Sequence, residues 1–543
     1  MTKSPVMIDR RALLCTTVLG WLMAGPARAA SGDFVAAAGP LAPGATPSDT
    51  RAEALHLLNR LAYGPTADEF ERVMRIGAER WVDEQLHPER VALPEPLGRQ
   101  LATLAASDES QRTLLASLRE AQAAARDGSE SSKARLRELF QRVGYGAAGA
   151  RLLRAVASPR QLEEVMVDFW FNHFNVFIGK GLCRVLVGSY EREAIRPHVL
   201  GHFRDLLGAT AHHPAMLFYL DNWLSVAPGW QPPRGARAGA PSGLNENYAR
   251  ELMELHTLGV DGGYTQADVT ALARMLTGWT IEPRRSRGDS VFWFDAGRHD
   301  DGDKRWLGHT VRGSGQAEGE WALDVLAAHP ATARHLALQL AQYFVADRPP
   351  PALVARVAQR FLASGGDIRA VLATLFASPE FRAPGARGAK FKTPYQYVLS
   401  AVRAGGVPLG NVRPLLGTMA QLGMPLYGCL TPDGYKNTEQ AWLNPDAITR
   451  RVNFATALAA GRLPLARPAY DDVPLAMPAQ AMMASSAMRP APEPGWFTPP
   501  LAADALLDTL GESISERTRA MVAESDPPLR AALVLGSPDF MRR

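Results

Sequence analysis

The residues best suited to chemistry lie in segment 245–258, which reads NENYARELMELHTL. Glu246, Arg250 and Glu254 recur every four residues, so they share one face of a predicted helix. Glu251 precedes Glu254 by three residues, which lets both carboxylates reach one site. Such a pair can transfer protons or bind a divalent or transition metal, with Arg250 orienting it or holding an anionic substrate. The alternative is a solvated face joined by ion pairs.

Two further residues of this segment are candidates. Asn247 extends the polar face and is expected to line the site. His256 projects from the opposite side of an ideal helix. It joins the carboxylates only if the helix breaks near Thr257–Gly259, and otherwise it serves a different neighbour. The candidate catalytic residues are therefore Glu251, Glu254, Arg250 and His256, with the two glutamates also as candidate metal ligands.

A second polar stripe occupies segment 161–177, QLEEVMVDFWFNHFNVF. At about 100° per residue, one narrow arc contains Gln161, Glu164, Asp168, Asn172 and Asn175. Most other positions are apolar, which predicts a largely buried helix whose polar seam faces a polar element or a cleft. Asn172 and His173 are candidates for lining that cleft. Because His173 lies on the aromatic side, a hydrogen-bonded core histidine is the alternative.

Two other segments add candidate lining residues. His299 beside Asp300 can bind a metal or orient a base, and a turn rich in solvated charge is the alternative. Asp221 and Asn222 form either an Asx-type turn or a polar contact to the site. The stretch Gly144–Gly149 matches a dinucleotide-binding pattern but follows a charged helical segment, so it predicts a glycine-rich helix break.

Apolar periodicity predicts the elements that must position these residues. Leu55, Leu58 and Leu61 indicate a helix beginning near Arg51, and residues 321–381 also have helical spacing. Val291–Phe294 is the best strand signal. The predicted fold is therefore mainly α, with two or more packed helical subdomains and at most a small β-hairpin. The predicted boundaries are an export signal at 1–29, a flexible leader at 30–49, a main helical domain at 50–460, a Pro/Ala/Met-rich linker at 461–500 and a C-terminal helical segment at 501–543.

The N-terminal segment predicts export. Arg10 and Arg11 precede an apolar stretch that is shorter than the roughly 20 residues a bilayer requires. Pro26–Ala29 then supplies a small-residue cleavage pattern. We predict a twin-arginine signal cleaved near Ala29–Ala30, with a generic secretory signal as the alternative. The mature chain is expected in the periplasm or secreted.

Net charge and cysteine content limit which partners and cross-links are expected. The 543-residue chain has a net charge of +4, of which the signal carries +3, so the mature chain is nearly neutral. Bulk charge therefore gives no reason to expect a nucleic acid partner. No second apolar run approaches membrane-spanning length, so no membrane span is expected in the mature chain. Cys183 and Cys429 remain, and they form either a disulfide or two buried thiols.

Several segments, in order, resemble the bacterial domain of unknown function 1800 family over roughly Ala52 to Leu458. The matching motifs include HLLNRLAYGPT at 56–66, DFWFNHFNVF at 168–177, LDNWLS at 220–225, RHDDGDKRWLG at 298–308, FKTPYQYV at 391–398 and GYKNTEQAWLNPD at 434–446. The segment 245–269 also matches. The resemblance implies export and, as a partner, an exported protein similar to phosphatases and sulfatases. It implies no particular reaction.

These observations lead to three hypotheses. The first is an envelope enzyme with a carboxylate-rich cleft between segments 161–177 and 245–258. The cleft works either with a bound metal or without one. Its reaction is hydrolysis or transfer on an envelope polymer, or a metal-dependent oxidation. The second is a non-catalytic binding or assembly partner of the exported phosphatase- or sulfatase-like protein. The third treats both stripes as a structural polar network between helices.

Overall fold

The computed structural model describes residues 47–104, 109–232, 243–286, 288–466 and 497–543. The predicted export signal lies outside these residues, as do most of the predicted leader and most of the predicted linker.

Helices make up most of the described chain, which confirms the mainly α class. The N-terminal half contains α1 (Pro47–Leu61), α2 (Ala67–Ile76), α3 (Ala78–Leu86), α4 (Glu95–Ala102), α5 (Gln111–Ala124), α6 (Glu130–Ala157), α7 (Gln161–His173), α8 (Cys183–Ser189), α9 (Phe203–His212), α10 (Pro214–Tyr219), α11 (Asn247–Glu254) and α12 (Gln266–Met275). The C-terminal half contains α13 (Gln316–Ala328), α14 (Pro330–Phe344), α15 (Pro351–Ala363), α16 (Ile368–Phe376), α17 (Pro379–Arg382), α18 (Pro394–Ala404), α19 (Arg413–Gln421), α20 (Glu439–Trp442), α21 (Pro445–Ala459), α22 (Ala503–Leu510), α23 (Glu516–Glu524) and α24 (Pro527–Leu535).

Two short antiparallel hairpins lie between α12 and α13. Strand β1 (Trp279–Ile281) pairs with β2 (Phe292–Phe294), which is the strand signal seen in the sequence. Strand β3 (Lys304–Trp306) pairs with β4 (His309–Val311). Three-residue strands are too short for an alternating pattern to reveal them reliably, so the second hairpin was found only in the structure.

Local sequence explains where several helices begin. Thr265 caps α12, and the Asp268 side chain binds back to the Thr265 backbone in a capping box. Thr393 and Gln396 form the same arrangement at the start of α18. The apolar stripe Leu55, Leu58 and Leu61 is almost fully buried along α1, so helical periodicity and core packing agree there.

The prediction of a helix break at Gly144–Gly149 is wrong, because α6 continues through this stretch to Ala157. The small residues serve close packing instead. A Cβ added to Gly188 of α8 would lie 2.9 Å from the Ala147 Cβ, and one added to Gly149 would lie 3.0 Å from Leu104 Cδ1. Small side chains along α6 therefore let neighbouring segments approach its backbone.

The apolar core forms one cluster that includes residues from α1 to α24. Cys183 and Cys429 are both buried free thiols. Within the described ranges, no helix combines the length and the apolar composition needed to cross a membrane.

Candidate functional site

An open pocket of about 260 Å³ lies where α7, the end of α11, α14 and the loop 424–437 meet. We call it the α7–α11 pocket. Apolar atoms form most of the pocket surface, but most of the lining residues are of polar types: Asp168, Asn172, His173, Glu254, His335, Gln339, Gln342, Tyr343, Thr393, Asp433, Tyr435, Lys436 and Asn437. Its apolar residues are Phe169, Leu255, Val260 and Met424. Three of the residues predicted from sequence, Asn172, His173 and Glu254, therefore line one pocket.

The polar seam of α7 has partners along its whole length. Gln161 donates to the Ser158 carbonyl at 2.7 Å. Glu164 accepts a two-pronged contact from Arg196 at 2.7 and 3.0 Å. The seam is buried as predicted, and its polar groups are satisfied by other parts of the protein.

Below the pocket, the buried Arg151 and the partly buried Arg196 alternate with three carboxylates. Arg151 contacts Asp168 at 2.5 Å and Glu191 at 3.2 Å, and Arg196 contacts Glu191 at 3.0 Å as well as Glu164. The Arg151 guanidinium also lies 5.2 to 5.4 Å from the ring centres of three aromatic residues. This network fixes the orientation of Asp168, the residue that joins it to the pocket lining.

The network shifts the pKa values of two of its carboxylates, Asp168 and Glu191, in opposite directions. Burial raises the pKa of Asp168, and the opposing charge of Arg151 only partly offsets that effect. Burial also acts on Glu191, but Arg151 and Arg196 together with the Tyr427 hydroxyl outweigh it and lower its pKa. The Tyr427 hydroxyl donates to Glu191 at 2.7 Å. Of these two carboxylates, Asp168 is therefore the one that protonates more readily.

Asn172 holds the loop 424–437 against the end of α7. Its amide donates to the Tyr435 carbonyl at 2.9 Å and its Oδ1 accepts from the Tyr435 N–H at 2.7 Å. The preceding Gly434 has φ +67°, and a Cβ there would lie 2.2 Å from the Asn172 carbonyl oxygen. Only glycine fits this contact without displacement, so Gly434 and Asn172 together place Asp433, Tyr435 and Lys436 at the pocket.

Two histidines face the pocket in the neutral form. His173 Nε2 lies 3.1 Å from the His256 carbonyl, and His335 Nε2 lies 3.2 Å from the Leu255 carbonyl. Because a carbonyl only accepts, both Nε2 atoms carry the proton. Burial and the neighbouring His335 lower the pKa of His173 to about 3, and burial also lowers the pKa of His335. Each ring therefore keeps an unprotonated Nδ1 at neutral pH.

His256 does not line the pocket. Helix α11 ends at Glu254, before the predicted break, and the His256 ring packs 5.0 Å from the Phe174 ring and 6.0 Å from the His173 ring. Burial lowers its pKa well below the usual value, and its Nε2 is buried with no hydrogen-bond partner. His256 thus lies behind the pocket lining, where its carbonyl accepts from His173 and its ring packs against Phe174 and His173.

The carboxylates of α11 divide into two groups. Glu246, at the start of α11, accepts from Arg250 at 3.3 Å, from Gln266 at 2.7 Å and from Thr270 at 2.6 Å. Arg250 also donates to Gln266 at 2.9 Å. These residues form the ion-paired face described by the alternative interpretation of the stripe.

Glu251 and Glu254 belong to the second group, on the pocket side. Burial raises the pKa of Glu251, and the nearby charges of Glu254 and Asp433 raise it further against the effect of Arg250. Glu254 accepts only a long contact of 3.5 Å from the Tyr264 hydroxyl. Within the described residues, Glu251 has no hydrogen bond or ion pair. Of the two, only Glu254 lines the pocket, together with Asp433. Glu251, one turn earlier on α11, is outside the lining but close enough to both carboxylates for their charges to raise its pKa.

The described part of the chain contains no group of three or more His, Cys, Asp or Glu side chains placed to hold a metal ion. Metal binding by Glu251 and Glu254 stays a prediction. So do the catalytic roles assigned to Glu251, Glu254, Arg250 and His256.

His299 and Asp300 lie in a separate, enclosed cluster. His299 Nε2 donates to Glu318 Oε1 at 2.8 Å, and Lys304 lies 2.6 Å from Glu318 Oε2, with all three side chains fully buried. Asp300 pairs with Arg274 at 2.6 Å. Burial lowers the pKa of His299, but hydrogen bonds to Glu318 and Thr277 outweigh this and raise it overall. Neither residue lines the α7–α11 pocket.

Asp221, Asn222 and Asn247 connect α10 and α11 and do not line the pocket. Asp221 adopts a left-handed conformation with φ 59° and pairs with Lys180 at 2.8 Å. Asn222 is fully buried and donates to the Leu276 and Trp279 carbonyls, each at 3.2 Å. Asn247 donates to the Leu220 carbonyl at 3.3 Å. All three hold backbone segments in place.

The pocket also contains residues that were not among the candidates. Asp433, Tyr435, Lys436 and Asn437 lie in or just before the motif at 434–446, and Thr393 lies in the motif at 391–398. Those motifs were the available signal. His335, Gln339 and Gln342 lie on one face of α14, but nothing in the local pattern separates that face from an ordinary polar surface.

The fold and the pocket define a mainly helical protein in which an open polar pocket adjoins a buried arginine–carboxylate network. The chain matches the model of the protein family of unknown function DUF1800 over residues 56–542, and it belongs to that family. No curated protein and no solved structure matches the chain.

Proposed function

We propose that this protein is an enzyme of the cell envelope that catalyses hydrolysis or group transfer on a polar polymer in the α7–α11 pocket. One observation carries the proposal: Asp168, Glu254, His335 and Asp433, from four separate segments, line a single open pocket. The pKa of Asp168 is raised and the pKa values of His335 and Asp433 are lowered. Groups with shifted pKa values that meet in a cleft are typical of catalytic sites.

Glu251 and Glu254 divide the acid–base work. The raised pKa of Glu251 favours its protonated form, which suits a proton donor. Glu254 lines the pocket and accepts only a long contact, so it is available as the base. Pairs of carboxylates in different environments perform such paired roles in known hydrolases. The absence of tight partners distinguishes both from Glu246, which has three.

His335 and Asp433 support this pair from the opposite walls. The neutral His335 ring offers an acceptor nitrogen, because its other nitrogen donates to the Leu255 carbonyl. Asp433, paired with Lys436 at 2.6 Å, adds negative charge beside Glu251 and so helps to keep that residue protonated.

The substrate class follows from the remaining lining. Asn172, Gln339, Gln342 and Asn437 supply amides, and Tyr343 and Tyr435 supply aromatic rings with hydroxyl groups. Amides and hydroxyls recognise neutral, hydroxyl-rich groups by hydrogen bonding. Ordinary ligand pockets begin at about 300 Å³, so a pocket of about 260 Å³ suits a single unit of a longer chain that continues outside its open mouth.

The experiment compares three glutamates on one helix segment. Purified mature protein is incubated with isolated cell-envelope polysaccharide and peptidoglycan, and released products are identified by mass spectrometry. We expect Glu251→Gln and Glu254→Gln to lose product formation while keeping the wild-type unfolding midpoint. Glu246→Gln is the matched control and should retain activity, because the Glu246 carboxylate is engaged by Arg250, Gln266 and Thr270. Equal activity of all three variants, or no product from either polymer, would contradict the proposal.

Export remains part of the proposal. Support comes from Arg10-Arg11, the short apolar stretch and the cleavage pattern at Pro26–Ala29. Cell fractionation and N-terminal sequencing test it. We expect a mature chain beginning at Ala30 outside the cytoplasm, and retention of the uncut chain when Arg10 and Arg11 are both replaced by Lys. Unchanged export of that double variant would instead indicate the generic secretory route.

A non-catalytic binding role is the second candidate, and one observation favours it. Val260 lines the pocket yet is 71% exposed, and an exposed apolar residue at a pocket mouth suits contact with another protein. The partner expected from the family resemblance is an exported phosphatase- or sulfatase-like protein. Stable co-purification with such a protein that is lost in Val260→Asp, without turnover of any polymer, would favour this role over the enzyme.

A further inference from the structure

A second region of the protein has an excess of buried positive charge. Arg60, Lys390, Lys392, Arg451 and Arg543 are each at most 4% exposed. Among these five, within the described residues, only Lys390 has a carboxylate partner, which is Asp347. Buried cations in proteins are normally paired with anions, because removing an unpaired charge from water is costly.

Carbonyl groups and aromatic rings satisfy these cations only in part. Arg543 donates to the Tyr343 carbonyl at 2.9 Å, and Arg60 donates to the Ala386 carbonyl. Lys392 lies 3.9 Å from the centre of the Phe540 ring. Arg60 Nε and Nη1 and Arg543 Nε are buried without a hydrogen-bond partner. Burial lowers the pKa of Arg60, the nearby Arg543 lowers it further, and the opposing charge of Asp347 offsets these two effects only in part.

A pocket of about 290 Å³ opens beside this cluster, between α1 and the segments around Gly388, Ser513 and Arg543. Its lining includes the side chains of Arg387, Arg542 and Arg543. Arg542 pairs with Glu439 at 2.6 Å. Arg387 is only partly buried and has no ion pair or side-chain hydrogen bond within the described residues. One guanidinium at this pocket is therefore free to bind a ligand.

The two carboxylates in the lining are occupied by the protein itself. Asp539 accepts from the hydroxyls of Ser515 and Thr518, both at 2.6 Å, and these bonds lower its pKa. Glu512 accepts from Ser48 at 2.9 Å. Hydrogen bonds spread the negative charge of these groups over their donors, so they oppose an incoming anion less than free carboxylates would.

We propose that this pocket binds a small oxyanion of the phosphate class, held by Arg387 and by the positive charge of Arg543 and Arg60 behind it. Guanidinium groups bind phosphate oxygens through two parallel N–H donors, which combines charge with directed hydrogen bonds. A bound dianion also supplies the counter-charge that the buried cations lack. The site is separate from the α7–α11 pocket and does not depend on the proposed enzymatic function.

The test uses the full mature protein and inorganic phosphate as the probe. Its thermal unfolding midpoint is followed as phosphate replaces chloride at constant ionic strength and pH. We expect the midpoint to rise and to saturate, because a ligand that binds the folded state stabilises it. Glucose 6-phosphate, tested in parallel, distinguishes a free anion from a phosphate group on a larger molecule. A saturable rise with either compound supports the site and identifies the form that it accepts.

Arg387→Gln is the decisive variant, because its partly exposed and unpartnered side chain can be replaced without breaking a contact of the fold. We expect about tenfold weaker apparent phosphate affinity, the factor that corresponds to one lost charge-assisted hydrogen bond. Arg356→Gln is the matched control. Arg356 is an exposed arginine paired with Glu380, and its loss should leave the phosphate response unchanged. A midpoint that does not respond to phosphate, or an equal response in Arg387→Gln and wild type, would overturn the proposal.

Discussion

Two histidine–carboxylate clusters in this protein use the same residue types in opposite ways. In the α7–α11 pocket, His173 and His335 donate to backbone carbonyls and keep their carboxylate neighbours at a distance. In the enclosed cluster, His299 contacts Glu318 directly at 2.8 Å, and Lys304 completes the group. The first cluster opens to solvent and the second is sealed.

The two clusters differ in how they avoid an uncompensated buried charge on a titratable group. A buried histidine can remain neutral, as at the pocket, or it can be paired with a carboxylate, as in the sealed cluster. The pKa of His173 is therefore lowered and that of His299 is raised. The α7–α11 pocket is open and its histidines stay neutral, whereas the group formed by His299, Glu318 and Lys304 is fully buried and lies outside that pocket.

The largest effect is expected where the sealed cluster loses its carboxylate. Glu318→Ala leaves Lys304 and His299 buried without their partner, and breaking a buried pair in this way costs about 3–5 kcal/mol of unfolding free energy. Urea denaturation measures this loss. The control is Asp301→Ala, whose 75% exposed side chain lies 3.9 Å from His299 and should contribute less than about 1 kcal/mol. Comparable losses in the two variants would show that the sealed cluster is not a stabilising ion pair.

The next largest effect concerns the loop that closes the pocket. In Gly434→Ala, the new Cβ would lie 2.2 Å from the Asn172 carbonyl oxygen at a positive φ, so backbone strain and overpacking act together. Each costs about 1–3 kcal/mol, and we expect a loss of about 2–4 kcal/mol in urea denaturation. Gly417→Ala in α19 is the control, because a Cβ there meets nothing within 4 Å. A Gly434→Ala protein as stable as that control would mean that the loop is not anchored at Asn172.

The sequence allowed the α7 seam to be predicted because the seam is a local property. Gln161, Glu164, Asp168, Asn172 and Asn175 fall on one arc through helical geometry alone, and the structure buries Gln161, Glu164, Asp168 and Asn175 and engages all five. The helix ends were harder to predict. Asn172 and Asn175 bind the loop 424–437. Helix α7 ends at His173, next to Phe174, where that loop packs against it. The residues around the end of α7 contain no signal for contact with a loop that is more than 250 positions away in sequence.

The sequence also did not allow us to predict that the two histidine–carboxylate clusters are separate. His299 with Asp300 and His173 with Asn172 were both candidates for lining one site, and no feature of the sequence separated them. The deciding partner, Glu318, follows His299 by 19 residues and reaches it only because the β3–β4 hairpin lies between them. His335 is still further in sequence from its partner, because it lies 80 residues after Leu255, whose carbonyl it contacts. Long-range packing, which local periodicity does not encode, assigns one histidine to the pocket and another to the sealed cluster.

The two clusters should respond to pH in opposite directions, with a smaller effect than the first two variants. His173 has a pKa of about 3 in the folded protein against about 6.5 when unfolded. The unfolded chain therefore takes up its proton first, and the stability contributed by the neutral ring is lost as pH falls from about 6.5 towards 3. The raised pKa of His299 gives the reverse: its contribution is present below about 6.5 and is lost as pH rises through the folded value.

Unfolding free energies measured by urea denaturation from neutral pH down to mildly acidic pH test this contrast. His173→Phe removes a titrating ring from an aromatic neighbourhood and should reduce the acid-side loss by about 1–2 kcal/mol. His299→Gln lowers stability at every pH but should leave that acid-side loss in place. Identical pH profiles for wild type and His173→Phe would show that the pocket histidines are not buried in the neutral form.

The smallest effect is expected for Arg250, which lies on the same helix as the proposed acid–base pair. Its guanidinium contacts Glu246 at 3.3 Å and Gln266 at 2.9 Å, and both partners are partly exposed. Exposed pairs four residues apart contribute about 0.3–0.5 kcal/mol, so Arg250→Ala should change the unfolding free energy by no more than about 0.5 kcal/mol. Arg250 also lowers the pKa of Glu251, so its removal should raise that pKa further. If the enzyme proposal holds, the pH–rate profile of Arg250→Ala shifts to higher pH while its maximal rate is retained. A complete loss of activity without a loss of stability would instead assign Arg250 to the substrate, in keeping with the alternative that it holds an anionic substrate.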